Sequence, residues 1–255
     1  METLNKIIMR KFRLIRSEPA SALYNMALDE KIFFRYLKDG IPVFRVYNWQ
    51  SPSFTYGVSQ KPGREINIPQ CAKDGIHLAK RMTGGGVLFH DNEITYSLTC
   101  SKEDIGEDKN VFVSYRNICA FLLSFYESLG LKPSFAFEGE NFNDRCAAHP
   151  LCSASREKYD IVINGRKIGG NAQKRNRQAV FQHGSIPISI DWGLMRKYVR
   201  FLPKEASLGT TSLSGELKVV PAREILEQKL IGAVQDIFGA DFIEEGEPVH
   251  ETRLA

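Results

Sequence analysis

The pair Asn164-Gly165 is the feature of this 255-residue sequence that most restricts its fold. It stands between residues 159–163 and residues 166–168, two runs that carry the isoleucines and valine typical of strands. Asn and Gly tolerate the positive φ angles of a two-residue hairpin turn, so the arrangement predicts a β-hairpin. Lys167 is then expected on the return strand, just past the turn.

Three segments have apolar residues at helical spacing and end in helix-stopping residues. The first covers residues 21–37, with Ser21 as its amino-terminal cap. Its expected buried stripe, interrupted by a glutamate, comprises Leu23, Met26, Ala27, Phe33, Phe34 and Leu37. The second covers residues 115–129 and the third residues 221–239, each closed by a glycine. The expected buried face of the third helix comprises Ile225, Leu230, Ala233, Val234 and Ile237.

Elsewhere the pattern is strand-like, with turn signals at irregular intervals. Residues 43–49 and 53–59 are two such strands joined through Pro52, and they are expected to form a sheet wall. Arg45 and Tyr47 should face the same way, because side chains two apart share one side of a strand. Helix and strand do not alternate strictly. This favours an α+β fold, with a mixed, largely antiparallel sheet flanked by helices, over a doubly wound parallel sheet.

The chain is expected to form a single domain over residues 1–255, with a core at about residues 12–215 and the helix at 221–239 packed on it. Its composition, 43% hydrophobic and 25% charged, is that of a globular protein. The amino terminus is basic but lacks an apolar core with a cleavage site, and no stretch is long and apolar enough to span a bilayer. These features predict a cytoplasmic protein with no membrane partner.

The cysteines and the net charge argue against several classes of site. No CxxC pair occurs, so neither a disulfide framework nor a zinc cage is indicated, and no metal site is expected. Free thiols in a reducing compartment are expected at Cys71, Cys100, Cys119, Cys146 and Cys152. The net charge of +4 is mild, and no dense basic stretch with interleaved aromatic residues indicates a nucleic-acid partner.

Residues 80–91 form the sharpest local motif, with three consecutive glycines between a basic pair and an apolar strand. Consecutive glycines let the backbone approach a ligand and direct its amides at a carboxylate or phosphate. The spacing matches neither a Walker loop nor a GxGxxG fingerprint. A tight connection between strands is the alternative, at roughly even odds.

Two further residues carry candidate chemistry. A lysine on a rigid strand beside glycines, as Lys167 is, can hold a fixed positive charge toward an acyl carbonyl, although most lysines are solvated. Cys152, in the polar stretch 141–158, can act as a nucleophile if a cation such as Lys167 or His149 lowers the pKa of its thiol. Cys146 has the same claim, and a passive hydrophobic role is the commoner one for cysteine.

A histidine and a basic cluster complete the candidates. His183 lies in a strand-like run, where it can orient a neighbouring group or satisfy a core hydrogen bond, and the second role is favoured by spacing alone. Residues 174–177 are interpreted as an exposed basic turn that either docks an acidic partner or is simply solvated.

Together these segments resemble the lipoate/octanoate protein ligase and transferase family. Several separate motifs occur in the family's order, at residues 25–30, 45–49, 81–91, 93–97, 165–168 and 182–186. The resemblance implies the fold of biotin-protein ligases and class II aminoacyl-tRNA synthetases, with a mixed sheet enclosing an acyl tunnel in one catalytic domain. It also implies that Lys167 contacts the acyl carbonyl. The substrate-binding residues that it implies are Arg81, Gly84, Gly85, Gly86, Val87, His90, Gly170, Asn171 and His183.

The family resemblance implies one of two chemistries. Ligases activate free lipoate with ATP and Mg²⁺ to an acyl-adenylate, which a lysine of a lipoyl domain attacks. Octanoyltransferases need no cofactor: a cysteine takes octanoate from acyl carrier protein as a thioester and passes it to the lipoyl-domain lysine. Covalent catalysis of this kind divides one difficult transfer into two easier steps.

Cys152 distinguishes the two chemistries, because it precedes Tyr159 by seven residues and so resembles the nucleophile of the cysteine-dependent octanoyltransferases. The sequence Thr-Tyr-Ser within residues 93–97 also resembles the octanoyltransferases. Gly86 and the Gly-Asn-Ala run after Lys167 resemble ligases instead. We therefore expect an octanoyltransferase, with an ATP-dependent lipoate-protein ligase as the alternative and a non-catalytic binding module as a remote one.

Overall fold

The computed structural model of the protein describes residues 9–106, 111–138, 158–202 and 206–248. The strands in these ranges are β1 Arg10–Arg16, β2 Val43–Tyr47, β3 Ser53–Tyr56, β4 His77–Lys80, β5 Leu88–His90, β6 Glu93–Cys100, β7 Pro133–Phe135, β8 Ile161–Ile163, β9 Arg166–Ile168, β10 Gly170–Arg175, β11 Val180–Pro187, β12 Thr210–Thr211 and β13 Ala240–Glu244. The helices are α1 Ala22–Asp39, α2 Ile68–Lys73, α3 Val111–Ser128, α4 Trp192–Tyr198, α5 Ala206–Gly209, α6 Leu213–Glu216 and α7 Arg223–Phe238. Within these ranges, no helix is long and apolar enough to cross a membrane.

A six-stranded mixed sheet forms the centre of the molecule, in the order β10-β11-β6-β2-β1-β13. Strand β1 pairs in parallel with β2 and β13, whereas β2, β6, β11 and β10 pair antiparallel in succession. Two smaller sheets, β12-β9-β8-β7 and β4-β3-β5, complete the strand pairing of the described residues. The expected α+β class with a mixed sheet flanked by helices is confirmed.

The two faces of the large sheet differ in chemistry, because side chains alternate along each strand. One face is apolar and packs on α3 and α7; its residues include Phe12, Phe44, Tyr96, Leu98 and Ile186. The other face is polar toward the carboxyl end of β2, where Arg45, Tyr47, Ser97 and His183 are all buried. Registered pairs such as Arg45 with Ser97 and Ser97 with His183 place these polar side chains side by side.

The predicted ends of the helices are close to the observed ones. The Ser21 hydroxyl accepts a hydrogen bond from the backbone N–H of Tyr24 at 3.3 Å and caps α1. Gly239 ends α7 in the left-handed region, with φ 59°. The second predicted helix is also present, although α3 begins four residues earlier than its apolar pattern indicated.

The predicted buried faces were partly wrong. Leu23 and Phe34 of α1 are 62% and 49% exposed, and Ile225 and Ile237 of α7 are also exposed. The residues that α1 buries are instead Ala22, Asn25, Met26, Leu28, Asp29, Ile32, Phe33 and Tyr36. The face is rotated because Asn25 and Asp29 find polar partners inside, which an apolar stripe does not reveal.

The hairpin is confirmed, with β8 and β9 joined by Asn164 at φ 50° and Gly165 at φ 72°. Lys167 lies on the return strand as predicted. Strands β2 and β3 do not form the expected common wall, because β2 belongs to the large sheet and β3 pairs with β4 and β5. Arg45 and Tyr47 do face the same way: the guanidinium carbon lies 4.0 Å from the centre of the tyrosine ring.

Candidate active site

A cavity of about 240 Å³ opens over the polar face of the large sheet. The residues that line it come from α1, β2, β3, the glycine segment, β5, β6, α3, β10 and β11. They are Met26, Tyr47, Trp49, Thr55, Arg81, Gly84, Gly85, Leu88, His90, Thr95, Tyr115, Asp160, Gly170, Asn171, Ala172, Gln173, His183 and Gly184. Apolar and aromatic walls with a few buried polar groups are typical of a small-molecule site.

The glycine segment is held over the cavity by Arg81. Its guanidinium donates to the carbonyl oxygens of Gly84 at 3.1 Å and Gly86 at 2.8 Å. Gly84 and Gly85 line the cavity, and Gly85 has φ 91°, a conformation that favours glycine. A Cβ at Gly57 would lie 2.2 Å from the Gly85 carbonyl oxygen, so the two backbones can touch only because residue 57 is glycine.

His90 joins the glycine segment to the sheet through a chain of hydrogen bonds. Its Nδ1 lies 2.8 Å from Glu93 Oε1, and its Nε2 lies 2.6 Å from the hydroxyl of Thr55. The guanidinium of Arg81 donates to the same hydroxyl at 2.8 Å. Trp49 stacks on the histidine ring, with centroids 3.9 Å apart, and donates its indole N–H to Glu93 at 3.0 Å. The His90 ring is therefore fixed on both edges and on one face.

His183 makes a second chain of the same kind. Its Nδ1 lies 3.7 Å from Asp29 Oδ2, and its Nε2 lies 2.9 Å from the hydroxyl of Thr83 in the glycine segment. Arg45 donates to Asp29 at 2.9 Å, and the Tyr47 hydroxyl donates to the other carboxylate oxygen at 2.9 Å. The two carboxylate–histidine pairs thus both reach the glycine segment, one through Thr55 to Arg81 and the other directly at Thr83.

Burial and charge set the protonation of these groups in a consistent direction. Burial alone would raise the pKa of the Asp29 carboxyl, but Arg45 and His183 together outweigh it and the pKa is lowered. The pKa of Glu93 is also lowered, since His90 and the hydroxyls of Thr95 and Ser185 together outweigh desolvation. Burial lowers the pKa of His183 and prevails over the attraction of Asp29. The carboxyls are therefore held ionised and His183 neutral at pH 7.

Asn171 forms part of the wall at the edge strand β10. Its side-chain oxygen accepts a hydrogen bond from the Tyr96 hydroxyl at 2.7 Å, and Gln182 donates to that hydroxyl at 2.9 Å. A Cβ at Gly184 would lie 2.2 Å from the Asn171 side-chain oxygen. The Gly at position 184 therefore makes room for the asparagine.

Lys167 lies in the interior next to the cavity rather than in solvent. It is 2% exposed, and its Nζ lies 2.8 Å from Asp160 Oδ2. Asp160 lines the main cavity, while Lys167 lines a smaller neighbouring cavity of about 50 Å³. Leu88 and Gly170 line both. The ion pair thus stands at the boundary between two adjoining spaces.

The family model for the lipoyl protein ligase A/B catalytic domain matches residues 21–242. The chain belongs to this family. The match covers α1 to β13, and so includes every residue of the two cavities that is named above.

Comparisons with individual members of the lipoyl protein ligase A/B family agree with this assignment. Octanoyltransferase LipM of Kyrpidia tusciae is 33% identical over 196 residues, which cover 76% of this chain and 72% of that protein. Octanoyltransferase LipM of Clostridioides difficile is 28% identical over 259 residues, covering 96% of this chain and 94% of its own length. A crystal structure of lipoate-protein ligase A bound with ATP has a TM-score of 0.75 at 22% identity, covering 94% of this chain and 90% of that chain.

Most of the binding residues that the family resemblance implied lie around the main cavity. They are Arg81, Gly84, Gly85, His90, Gly170, Asn171 and His183. Gly86 contributes a carbonyl to Arg81, and Val87 is fully buried in a hydrophobic cluster with Phe54 and Phe89. Among the described residues, no group of three His, Cys, Asp or Glu side chains is arranged to hold a metal ion.

The predicted nucleophile Cys152 lies outside the described residues, as do Cys146 and His149. The described cysteines Cys71, Cys100 and Cys119 are free and buried. Burial raises the pKa of Cys119 to about 12 and that of Cys100 further still. Their thiols are therefore held protonated and poorly nucleophilic at pH 7.

Sequence reasoning missed several residues of the site, of which Asp29, Glu93 and Asp160 are the charged ones. Each lies within or beside a motif that was recognised, and its role depends on a partner from another strand. The predicted basic turn at residues 174–177 also included two residues of a strand. Lys174 and Arg175 belong to β10 and are half-buried, and the exposed residues of the turn are 176–178. The Lys174 ammonium lies 5.4 Å from the centre of the Phe33 ring.

Proposed function

We propose that this chain is an octanoyltransferase that takes octanoate from acyl carrier protein as a thioester on Cys152 and passes it to a lysine of a lipoyl domain. The buried pair of Lys167 and Asp160, at the boundary of the acyl-sized cavity, is the observation that carries the proposal. A lysine ammonium held at this position by a carboxylate can polarise a carbonyl that lies at the end of the cavity. The two relatives named octanoyltransferase LipM support the same reaction.

The proposed reaction divides into two balanced steps. In the first, the Cys152 thiolate attacks the donor thioester; a new carbon–sulfur bond forms, the donor's carbon–sulfur bond breaks, and the donor leaves as a thiolate that takes up a proton. In the second, the neutral amine of the acceptor lysine attacks the enzyme thioester; a carbon–nitrogen bond forms, the carbon–sulfur bond to Cys152 breaks, and the proton lost by the nitrogen goes to the departing thiolate. Lys167 stabilises the negative charge that develops on the carbonyl oxygen in both steps.

Two features of the described residues support Cys152 as the nucleophile. First, the three described cysteines are buried, and the pKa values of their thiols are raised. Second, the chain on either side of residues 139–157 is joined beside the cavity: the backbone N–H of Phe137 donates to the Lys158 carbonyl at 3.2 Å, and Tyr159 stacks on Tyr115. Asp160, eight residues after Cys152, lines the cavity itself.

Mass spectrometry of the protein incubated with octanoyl-acyl carrier protein, without ATP, tests the proposal. We expect an octanoyl adduct on Cys152 that hydroxylamine removes, and transfer of octanoate to an added lipoyl domain. Cys152→Ser should reduce transfer at least about a hundredfold, whereas Cys146→Ser is the matched control and should retain it. No adduct together with full activity of Cys152→Ser would exclude the thioester route.

The ATP-dependent ligase is the second candidate. Gly86 and the sequence Gly170–Ala172 resemble ligases, and a ligase structure shares the fold. Incubation of the same protein with free lipoate, ATP, Mg²⁺ and the lipoyl domain distinguishes the two. Lipoylation that requires ATP and survives Cys152→Ser would assign the chain to the ligases.

A further inference from the structure

The smaller cavity next to Lys167 has apolar walls and an acidic mouth. Apolar side chains form its walls: Leu88, Phe89, Pro187, Ile190 and Met195. Its inner end, beside the main cavity, is formed by Lys167, Gly169, Gly170, Ser185 and the buried Glu93, to which the Ser185 hydroxyl donates at 2.7 Å. Its outer part carries the half-buried Asp91 and the exposed Asn92 and Asp191. The space is thus a narrow passage from an acidic mouth to the proposed reaction centre.

We propose that this passage admits the side chain of the acceptor lysine, so that the acyl chain and the amine approach the carbonyl from separate cavities. The proposal rests on the octanoyl-transfer function proposed above. A lysine side chain is an unbranched four-carbon stem ending in one amine, and a narrow apolar tube suits such a stem. The residues shared by both cavities, Leu88 and Gly170, mark the place where amine and carbonyl would meet.

The charges at the mouth select a cation. Asp91 and Asp191 stand together there, and burial followed by the negative charges of Asp191 and Glu93 raises the pKa of the Asp91 carboxyl. An arriving ammonium relieves this repulsion between carboxylates. A phosphate, whether of a nucleotide or of a carrier protein's prosthetic arm, would increase it. The mouth therefore favours the amine over either phosphorylated group.

The amine must give up one proton before it attacks, and carboxylates lie along its path. Lys167 is already paired with Asp160 at 2.8 Å, and the buried Glu93 also lines this cavity, so the ammonium meets acceptors for its proton rather than an unpaired cation. One proton passes to the carboxylates at the mouth and then to water. The amine nitrogen then bonds to the thioester carbon, the carbon–sulfur bond breaks, and the second proton goes to the departing thiolate of Cys152.

Single-turnover transfer from the isolated octanoyl-enzyme tests the inference. The variant Asp91→Asn/Asp191→Asn removes both charges while keeping shape, and Asn at position 191 can still cap α4, whose Leu194 N–H donates to this side chain at 2.8 Å. We expect the lipoyl-domain concentration at half-maximal rate to rise about tenfold, an effect that high salt should reduce in size. Formation of the octanoyl-enzyme from its donor should stay within twofold of the unsubstituted protein.

Two controls separate a local effect from damage to the fold. Asp236→Asn/Asp241→Asn makes the same change of net charge at exposed positions on α7 and β13, and should transfer normally. Hydroxylamine, which is uncharged at pH 7, should release octanoate from the Asp91→Asn/Asp191→Asn variant at the unsubstituted rate. Unimpaired transfer to the lipoyl domain would overturn the inference.

Other outcomes point to other occupants. If the variant slows formation of the octanoyl-enzyme and leaves transfer unchanged, the passage takes the donor's arm and the inference is wrong. If the unsubstituted protein forms no octanoyl-enzyme and needs ATP, the proposed function fails, and the inference fails with it.

Discussion

Lys167 and Asp160 form an ion pair in a place where water is largely excluded. The attraction between the two charges offsets the free-energy cost of burying each of them. A buried ion pair gains little net stability over an apolar pair, but the loss of one partner leaves an uncompensated charge inside the protein. The pair is therefore better understood as a device that keeps an ammonium beside the acyl cavity. The contribution of the pair to stability and its contribution to catalysis can be measured separately.

We expect Lys167→Met to lower the free energy of unfolding by about 3 kcal/mol, because it breaks the buried ion pair with Asp160. The same change should slow octanoyl-enzyme formation at least about a hundredfold, as loss of a group that stabilises an oxyanion does. Urea unfolding and mass spectrometry give the two quantities.

The double variant Lys167→Met/Asp160→Asn serves as the control for this prediction. It removes both charges and should recover most of the lost stability while remaining inactive. Full activity of Lys167→Met, or a double variant as unstable as the single one, would contradict the role assigned to the pair.

Among the elements, helix α1 is unusual because it packs on the sheet partly through polar side chains. Arg45 donates to Asp29 and to the side-chain oxygen of Asn25, and Ser97 donates to Asp29 at 2.9 Å. These bonds join α1, β2 and β6 under the main cavity. A helix held in this way is fixed in rotation, since turning it by one residue would break every bond.

Asp29→Ala is expected to lower the free energy of unfolding by about 3–5 kcal/mol, because Arg45 would remain fully buried without its carboxylate. Glu30→Ala is the matched control: Glu30 is the next residue, exposed to solvent, and its loss should change stability by less than about 0.5 kcal/mol. Urea unfolding of both variants checks the prediction. Equal losses would show that the polar bonds do not hold α1.

The elements that the sequence predicted well are those whose causes are local. Ser21 caps the helix that begins beside it, and the Asn164-Gly165 turn forms from its own backbone preferences. The buried face of α1 was misjudged because Asn25 and Asp29 are buried only through Arg45, on a different element. The same reason hid Asp160 from the list of site residues, since its partner lies across the hairpin on β9. The passage beside Lys167 was equally hidden, because Asp91 and Asp191 are brought together only by the fold.

For the molecule as a whole, three buried groups beside the cavity act together when the pH falls. The pKa of His183 is lowered from 6.5, that of Glu93 from 4.5 and that of Asp29 from 3.8. A group whose pKa is lower in the folded than in the unfolded state stabilises the fold above its unfolded pKa and loses that contribution as the pH falls. Acid should therefore destabilise the protein in two stages.

The free energy of unfolding is expected to be level near pH 7.5, to fall as the pH drops below 6.5 and to fall again below 4.5. His183→Gln should flatten the upper stage, where one proton changes stability by at most about 1.4 kcal/mol per pH unit. The control His77→Gln, at an exposed position, should leave it unchanged. Denaturant unfolding at a series of pH values tests this, and an upper stage that persists in His183→Gln would contradict it.

Strand β11 lies between β10 and β6, and its alternate residues His183 and Ser185 face the two cavities in turn. An insertion or deletion of a single residue within Val180–Pro187 would turn both side chains to the apolar side of the sheet and bring Gly184 in their place. The length of this strand is thus a structural requirement of both cavities. We expect homologous enzymes to show no gap across it when their sequences are aligned, and to keep glycine at position 184, where a side chain would collide with Asn171.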